Sequence, residues 1–80
     1  MKGEKAMATN DITYNVTKHC GVIATEKNGW TRELNIVAWN GGEPKYDIRS
    51  WNEDHTRMTR GITLTHEEVA NLKSILRTVN

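Results

Sequence analysis

Tryptophans and basic residues recur together in the middle of this 80-residue sequence. Trp39 and Trp51 flank a segment that contains a Gly-Gly pair, the single proline and the run KYDIRSW. Indole rings can stack on nucleobases, and the planar guanidinium of arginine can bind a phosphate through two hydrogen bonds. The combination favours a surface for single-stranded nucleic acid. The residues that could supply this chemistry are Trp30, Trp39, Trp51, Arg32, Lys45, Arg49, Arg57 and Arg60.

Length and composition limit the class of protein. Eighty residues make one domain at most, and a domain of this size buries a modest fraction of its surface, so we expect dimerisation to add burial. The net charge of +1 excludes a histone-like protein but leaves room for a local basic patch. Only one cysteine is present, so no intrachain disulfide can form, and no apolar run approaches the length of a membrane span. We therefore expect a cytoplasmic protein.

Alternating apolar residues predict four strands. Residues 12–24 read as a half-buried strand with Tyr14, Val16 and Cys20 on its core face. After the turn signal Asn28-Gly29, residues 30–39 form a second strand with Leu34 and Ile36 facing the core. A turn over residues 40–43 leads to a third strand that begins at the single proline, and residues 56–64 make a fourth.

One helix is predicted at the C-terminal end. Thr65 is its N-cap, and Glu68 completes a capping box. An apolar stripe then recurs at helical spacing through Val69, Leu72, Ile75, Leu76 and Val79. The order predicts an α+β domain over residues 12–80, a four-stranded antiparallel sheet with the helix covering one face. Residues 1–11 are expected to form a flexible tail.

The other sheet face is expected to be uncovered. Strand alternation places Trp39 of the second strand and Lys45, Arg49 and Trp51 of the third on this face. Two simpler interpretations stand beside the nucleic-acid one. Each tryptophan could lie in the core or in a dimer interface, and Arg49 could form a solvated ion pair with Asp47. A Trp/Arg surface also suits a protein-interaction module.

Catalysis and metal binding find little support in the sequence. His19 and Cys20 are adjacent on a strand, so their side chains point to opposite faces and cannot act together. Cys20 is expected to be a buried, inert thiol, and residues 53–55 a solvated loop. The three histidines and Cys20 lack the ligand spacing of a structural zinc site. We therefore predict no enzyme, no metal and no cofactor.

The second half of the sequence resembles a known family. KYDIRSW, an acidic loop and RGITLTHEEVANLKSIL together resemble the DNA-binding domain of the transcriptional coactivator positive cofactor 4 (PC4). The segment GWTRELNIVAWNGGEPK looks like the compact bacterial branch of that family, the YdbC-like proteins. The resemblance covers residues 19–79. Thr59 departs from it, because the eukaryotic proteins carry a basic residue there, and residues 1–11 do not resemble their Ser/Lys-rich regulatory region.

This resemblance implies a curved four-stranded sheet with a C-terminal helix, in a homodimer. It implies binding of single-stranded or melted DNA with little sequence preference, in transcription, replication or repair, by a cytoplasmic, nucleoid-associated bacterial protein. RNA binding stays open as an alternative, as does contact with the transcription machinery. Ile75 and Val79 are implied at the dimer interface. The nucleic-acid contacts that the resemblance implies are Trp30, Arg32, Trp39, Lys45, Arg49, Trp51 and Arg60, with Trp30 and Arg32 the least direct matches.

Overall fold

The computed structural model describes residues 12–79 as one antiparallel sheet followed by one helix. Its elements are β1 (Tyr14–Thr25), β2 (Thr31–Trp39), β3 (Lys45–Trp51), β4 (Ile62–Leu64) and α1 (His66–Thr78). The strands lie in the order β1-β2-β3-β4, each antiparallel to the next. The predicted α+β order of four strands and a helix is confirmed. The predicted tail, residues 1–11, lies outside the described residues.

Short turns join the first three strands, as their sequences predicted. Gly29 has a φ of 87°, which a residue without a Cβ adopts at little cost. Asn40 and Gly41 have φ values of 52° and 72° in the second turn. The Asn40 amide nitrogen donates to the Thr13 carbonyl at 2.7 Å, and the Asn40 side chain accepts from the Thr13 amide at 2.9 Å. These bonds hold the start of β1 against the end of β2.

Strand β1 departs from simple alternation. Its pairing with β2 shifts register at three places, between Val16 and Lys18, between His19 and Gly21, and between Val22 and Ala24. Each extra residue changes which face the following side chains occupy. Tyr14, Val16, His19 and Val22 therefore share a face. Cys20 falls within the second shift and is exposed, so the prediction of a buried thiol is wrong.

The face of the sheet that is buried is not the one that the sequence predicted. The polar face carries Glu33, Asn35 and Val37 of β2 beside Asp47, Arg49 and Trp51 of β3, and all but Arg49 expose 2% of their surface or less. The apolar face carries the residues expected in the core and stays partly open: Leu34, Ile36, Ile48 and Ile62, the last 53% exposed. The prediction of Leu34 and Ile36 as the buried face is therefore wrong for the single chain.

The helix begins as predicted but covers little of the sheet. Thr65 accepts from the Glu68 amide at 3.0 Å, and Glu68 accepts from the Thr65 amide at 2.8 Å, which confirms the capping box. Within residues 12–79, α1 contacts only β3 and β4, and none of its residues is buried. The expectation that α1 covers one whole face is wrong for this chain by itself. The apolar stripe stays exposed.

The fourth strand is shorter than predicted because the chain before it forms a loop. Only Ile62–Leu64 pair as β4, and Met58 makes an isolated bridge to Trp51. Gly61 runs against β3 so closely that a Cβ there would overlap the Ile48 carbonyl oxygen and the Arg49 Cβ. A glycine is therefore required for the return of the chain to the sheet.

Candidate nucleic-acid interface

An aromatic cluster lies on the polar face. The Tyr14 ring lies 5.8 Å from the Trp39 ring and 5.5 Å from the Trp51 ring, measured between centroids. The His55 ring lies 5.5 Å from the Trp51 ring, also measured between centroids. The sheet thus brings Trp39 and Trp51 to the same face, as predicted. Trp51 is 0% exposed, however, so its predicted exposure is wrong, and the covering residues are Tyr14 and His55.

Arg49 is fixed by neighbouring side chains. Its Nε and Nη2 donate to the two carboxylate oxygens of Asp47 at 2.6 and 2.7 Å. Its Nη1 donates to the Thr59 carbonyl at 3.4 Å, and its guanidinium carbon lies 4.6 Å from the centre of the Trp39 ring. The Arg49 side chain is 14% exposed and that of Asp47 is 0% exposed. The pair is therefore a largely buried one, which replaces the solvated ion pair considered from the sequence.

The other predicted cations are more accessible. Lys45 is exposed on the polar face. It pairs with Val37, which lies two positions before Trp39 on β2. Arg60 is exposed in the chain just before β4. Arg32 is exposed too, but it pairs with Ser50 and so lies on the apolar side of the sheet, with Nη2 3.5 Å from Glu26. The fold thus separates Arg32 from Lys45.

Trp30 lies apart from the aromatic cluster. It immediately precedes β2, and its amide nitrogen donates to the Asn28 side chain at 3.0 Å. It lines a cavity of about 400 Å³ with Gly29, Asn52 and Glu53. The predicted site residues therefore fall into three places: a polar-face group of Trp39, Lys45, Arg49 and Trp51, a pre-β4 position at Arg60, and a β1–β2 end at Trp30 and Arg32.

A buried carboxylate, which the sequence reasoning missed, lies beneath the polar face. Glu33 is 2% exposed and accepts hydrogen bonds from Thr31, from Asn35 at 3.2 Å and from His55 at 2.9 Å. Burial alone raises the pKa of the Glu33 carboxyl, but these hydrogen bonds and the nearby His55 charge together bring that pKa below its ordinary value. The one signal in the sequence was the position of Glu33, which shares strand parity with Val37 and Trp39.

His19 joins this network from β1. Its Nδ1 lies 2.7 Å from Asn35 Oδ1 and 3.5 Å from Glu33 Oε1. Because β1 shifts register on either side of His19, that residue reaches the same face as Asn35. The expected solvated loop is only partly solvated, because His55 crosses from the β3–β4 loop to Glu33, and its carbonyl oxygen accepts from the Tyr14 hydroxyl at 3.3 Å. Three separate segments thus meet at one carboxylate.

Residues 12–79 hold no group of three or more His, Cys, Asp or Glu side chains arranged for a metal ion. No helix in this range has the length and hydropathy needed to cross a membrane. The predicted interface residues are Ile75, on α1 and 58% exposed, and Val79, the C-cap of α1 and 56% exposed.

Comparison with known proteins identifies the family. The model of the family described as Transcriptional Coactivator p15 (PC4) matches residues 26–75, which include β2, β3, β4 and most of α1. A protein of Treponema pallidum (strain Nichols), described only as uncharacterized, is 39% identical over 77 residues, covering 96% of this chain and 91% of its own. The chain belongs to the PC4 family.

Membership of this family sets the general class of function. The family is a nucleic-acid-binding one without enzymatic activity, and it indicates single-stranded DNA binding and a role related to transcription. The antiparallel sheet with a C-terminal helix agrees with the fold that the resemblance implied. The family assignment predicted from the sequence is thus confirmed.

Proposed function

We propose that this chain is a homodimeric, cytoplasmic protein of the compact bacterial, YdbC-like branch that binds single-stranded DNA with little sequence preference. It acts on melted strands in transcription, replication or repair, in association with the nucleoid. The observation that carries the proposal is the partly exposed Trp39 ring, which has Arg49 4.6 Å from its centre and Lys45 on the same face. A stacking surface beside a phosphate-binding cation is the arrangement that single strands require.

The predicted contact residues take different parts in this proposal. Trp39 stacks on a base, while Lys45 and Arg60 meet phosphates, because these three retain accessible surface. Arg49 and Trp51 position neighbouring side chains, because the Arg49 guanidinium is held by Asp47 and the Trp51 indole is fully buried. They fix the tilt of the Trp39 and Tyr14 rings. Trp30 extends the interface at the β1–β2 end, whereas Arg32, on the apolar side of the sheet beside Glu26, takes no part in the polar-face contact.

A second copy of the chain covers the apolar face and α1 in this proposal. Leu72, Ile75 and Leu76 of α1 and its C-cap Val79 are each exposed by 38% or more, and Ile62 on the sheet is 53% exposed. A 13-residue helix is marginal in water without tertiary packing. An isologous contact would bury both surfaces at once and would leave the two polar faces free for nucleic acid. Contact with the transcription machinery would use surface outside both.

Fluorescence anisotropy with labelled oligonucleotides tests the proposal. A single DNA strand of about 20 nucleotides, the matching duplex and an RNA of the same sequence are each titrated at several salt concentrations. We expect the DNA strand to bind more tightly than the duplex, with log affinity falling by about 0.7 per phosphate contact for each unit of log salt. Equal or tighter binding of RNA would reassign the ligand. Absence of binding at low salt would contradict the proposal and favour a protein-interaction module.

A further inference from the structure

A cavity opens on the polar face beside the aromatic cluster. It has a volume of about 540 Å³, within the range of about 300–1,000 Å³ typical of small-ligand pockets. Its apolar walls include Val16, Val22 and the Trp51 ring. Its polar groups come from separate elements: Tyr14 and His19 of β1, Glu33 and Asn35 of β2, and Glu53 and His55 of the β3–β4 loop.

The buried network fixes the orientation of both imidazoles. A carboxylate only accepts hydrogen bonds, so the His55 Nε2 that lies 2.9 Å from Glu33 carries a hydrogen. Asn35 donates through Nδ2 to Glu33 and so turns its Oδ1 towards His19, whose Nδ1 therefore also carries a hydrogen. In the neutral rings, Nε2 of His19 and Nδ1 of His55 are left as hydrogen-bond acceptors.

The outward ring nitrogens of His19 and His55 determine which kind of ligand the cavity favours. The His19 and His55 side chains are 53% and 46% exposed, whereas that of Glu33 is 3% exposed. With the exposed Glu53 carboxylate, the accessible polar atoms are acceptors when both imidazoles are neutral. Two carboxylates line the cavity, so it carries no net positive charge even when both imidazoles are protonated, and a phosphate gains nothing there. A flat, neutral ring that donates hydrogen bonds fits better.

We infer that this cavity takes one unstacked nucleobase that carries an exocyclic amino group, with cytosine as the smallest example. The inference rests on the proposed function, since it assigns a base-selective position to the same face. Aromatic and imidazole rings stack on splayed bases, and acidic side chains accept from the cytosine amino group. Thymine and uracil place a carbonyl oxygen where cytosine has that amino group, so at this position they oppose acceptor to acceptor and keep only the single N3–H as a donor on that edge.

Oligomers of deoxycytidine and deoxyuridine make the matched comparison, because the two bases differ only in this donor–acceptor edge. We expect the cytosine oligomer to bind about three- to tenfold more tightly at pH 8, the value of about one neutral hydrogen bond.

Two variants isolate the cavity. His19→Phe keeps a ring but removes the outward acceptor, and Glu53→Gln replaces an acceptor-only group by an amide. Each should bring the cytosine-to-uracil ratio towards one while uracil binding persists. His66→Phe and Glu43→Gln are the matched controls, because His66 packs edge-on against Tyr46 and neither residue lines the cavity. Both controls should keep the wild-type ratio.

The outcomes separate this inference from the proposed function. Equal binding of both oligomers, tighter binding of uracil, or a preference that survives both cavity variants would overturn the cavity assignment and leave the proposed function standing. If neither oligomer binds at low salt, the proposed function fails, and free cytidine and uridine are then titrated against the His19 and His55 ring signals in NMR spectra. Shifts with cytidine alone would support the cavity by itself, and the absence of shifts would overturn it.

Discussion

His55 Nε2 lies 2.9 Å from Glu33 Oε2 and ties the β3–β4 loop to the middle of the sheet. His55 has a φ of 59°, a left-handed conformation that is uncommon for a residue with a side chain. Its ring also covers Trp51, and its carbonyl oxygen accepts from Tyr14. This one residue therefore links the loop to β1, β2 and the buried indole.

Replacing Glu33 should change the pH dependence of stability. The folded-state pKa of Glu33 is below its ordinary value of 4.5, so the ionised form stabilises the fold above about pH 4.5. That contribution is lost as the pH falls through the folded-state pKa. Glu33→Gln should lower the free energy of unfolding by about 1–3 kcal/mol at pH 7, and the difference from wild type should narrow at pH 3. Urea unfolding at both pH values measures it.

The exposed Glu43→Gln serves as the control for charge removal and should change little at either pH. A Glu33→Gln difference that is constant between pH 7 and pH 3 would mean that the Glu33 carboxylate does not titrate as the hydrogen-bond network requires.

Adding one methyl group at Gly61 should destabilise the sheet. A Cβ at this position would overlap the backbone of Ile48 and the side chain of Arg49, so β3 and the preceding chain would have to move apart. Gly61→Ala should cost about 1–3 kcal/mol of unfolding free energy in thermal or urea denaturation. Gly21→Ala is the matched control, because a Cβ there meets nothing within 4 Å. Equal effects of the two substitutions would contradict the close approach.

Removing the Lys45 charge should weaken DNA binding without weakening the fold. Lys45 is exposed on the polar face, and we propose that it meets one phosphate. Lys45→Ala should reduce the magnitude of the salt slope for a single strand by about 0.7. Lys73→Ala on α1 removes the same charge away from the polar face and should leave the slope unchanged. An unaltered slope for Lys45→Ala would remove this residue from the interface.

A charge within the α1 stripe should separate the proposed dimer. Ile75 is 58% exposed in the single chain, and a carboxylate at this position could not be buried against a second copy without a partner. Ile75→Asp should sediment as a monomer at concentrations where the wild type is a dimer. Ser74→Asp places the same charge one position away on the helix and tests whether charge alone has the effect. A monomeric wild type would contradict the dimer.

Sequence patterns were sufficient for the order of elements because those signals are local. Thr65 and Glu68 specify the helix start through their own hydrogen bonds, and Gly29 and Gly41 specify turns through their φ values. The facing of side chains was harder to predict. Three register shifts in β1 depend on its pairing with β2, so alternation alone could not place His19 on the same face as Asn35.

The hydrogen-bond network around the Glu33 carboxylate could not be predicted from the sequence for a related reason. His55 is 22 residues from Glu33, and their contact depends on the path of the β3–β4 loop. The same loop covers Trp51, which is why the tryptophan expected to be exposed is fully buried. By contrast, KYDIRSW, the acidic loop and RGITLTHEEVANLKSIL together predicted the family, because their residue types and order can be recognised without the path of the chain in space.

The indole N–H signals of the three tryptophans test the central claim, that the polar face binds single strands. An ¹H–¹⁵N spectrum is recorded during titration with a thymidine oligomer, after each signal is assigned by a Trp→Phe variant. We expect the Trp39 signal to shift most, the fully buried Trp51 signal to shift less, and amides of Leu72 and Ile75 on α1 to stay in place. Shifts confined to α1, or an unmoved Trp39 signal with saturating oligomer, would contradict the account.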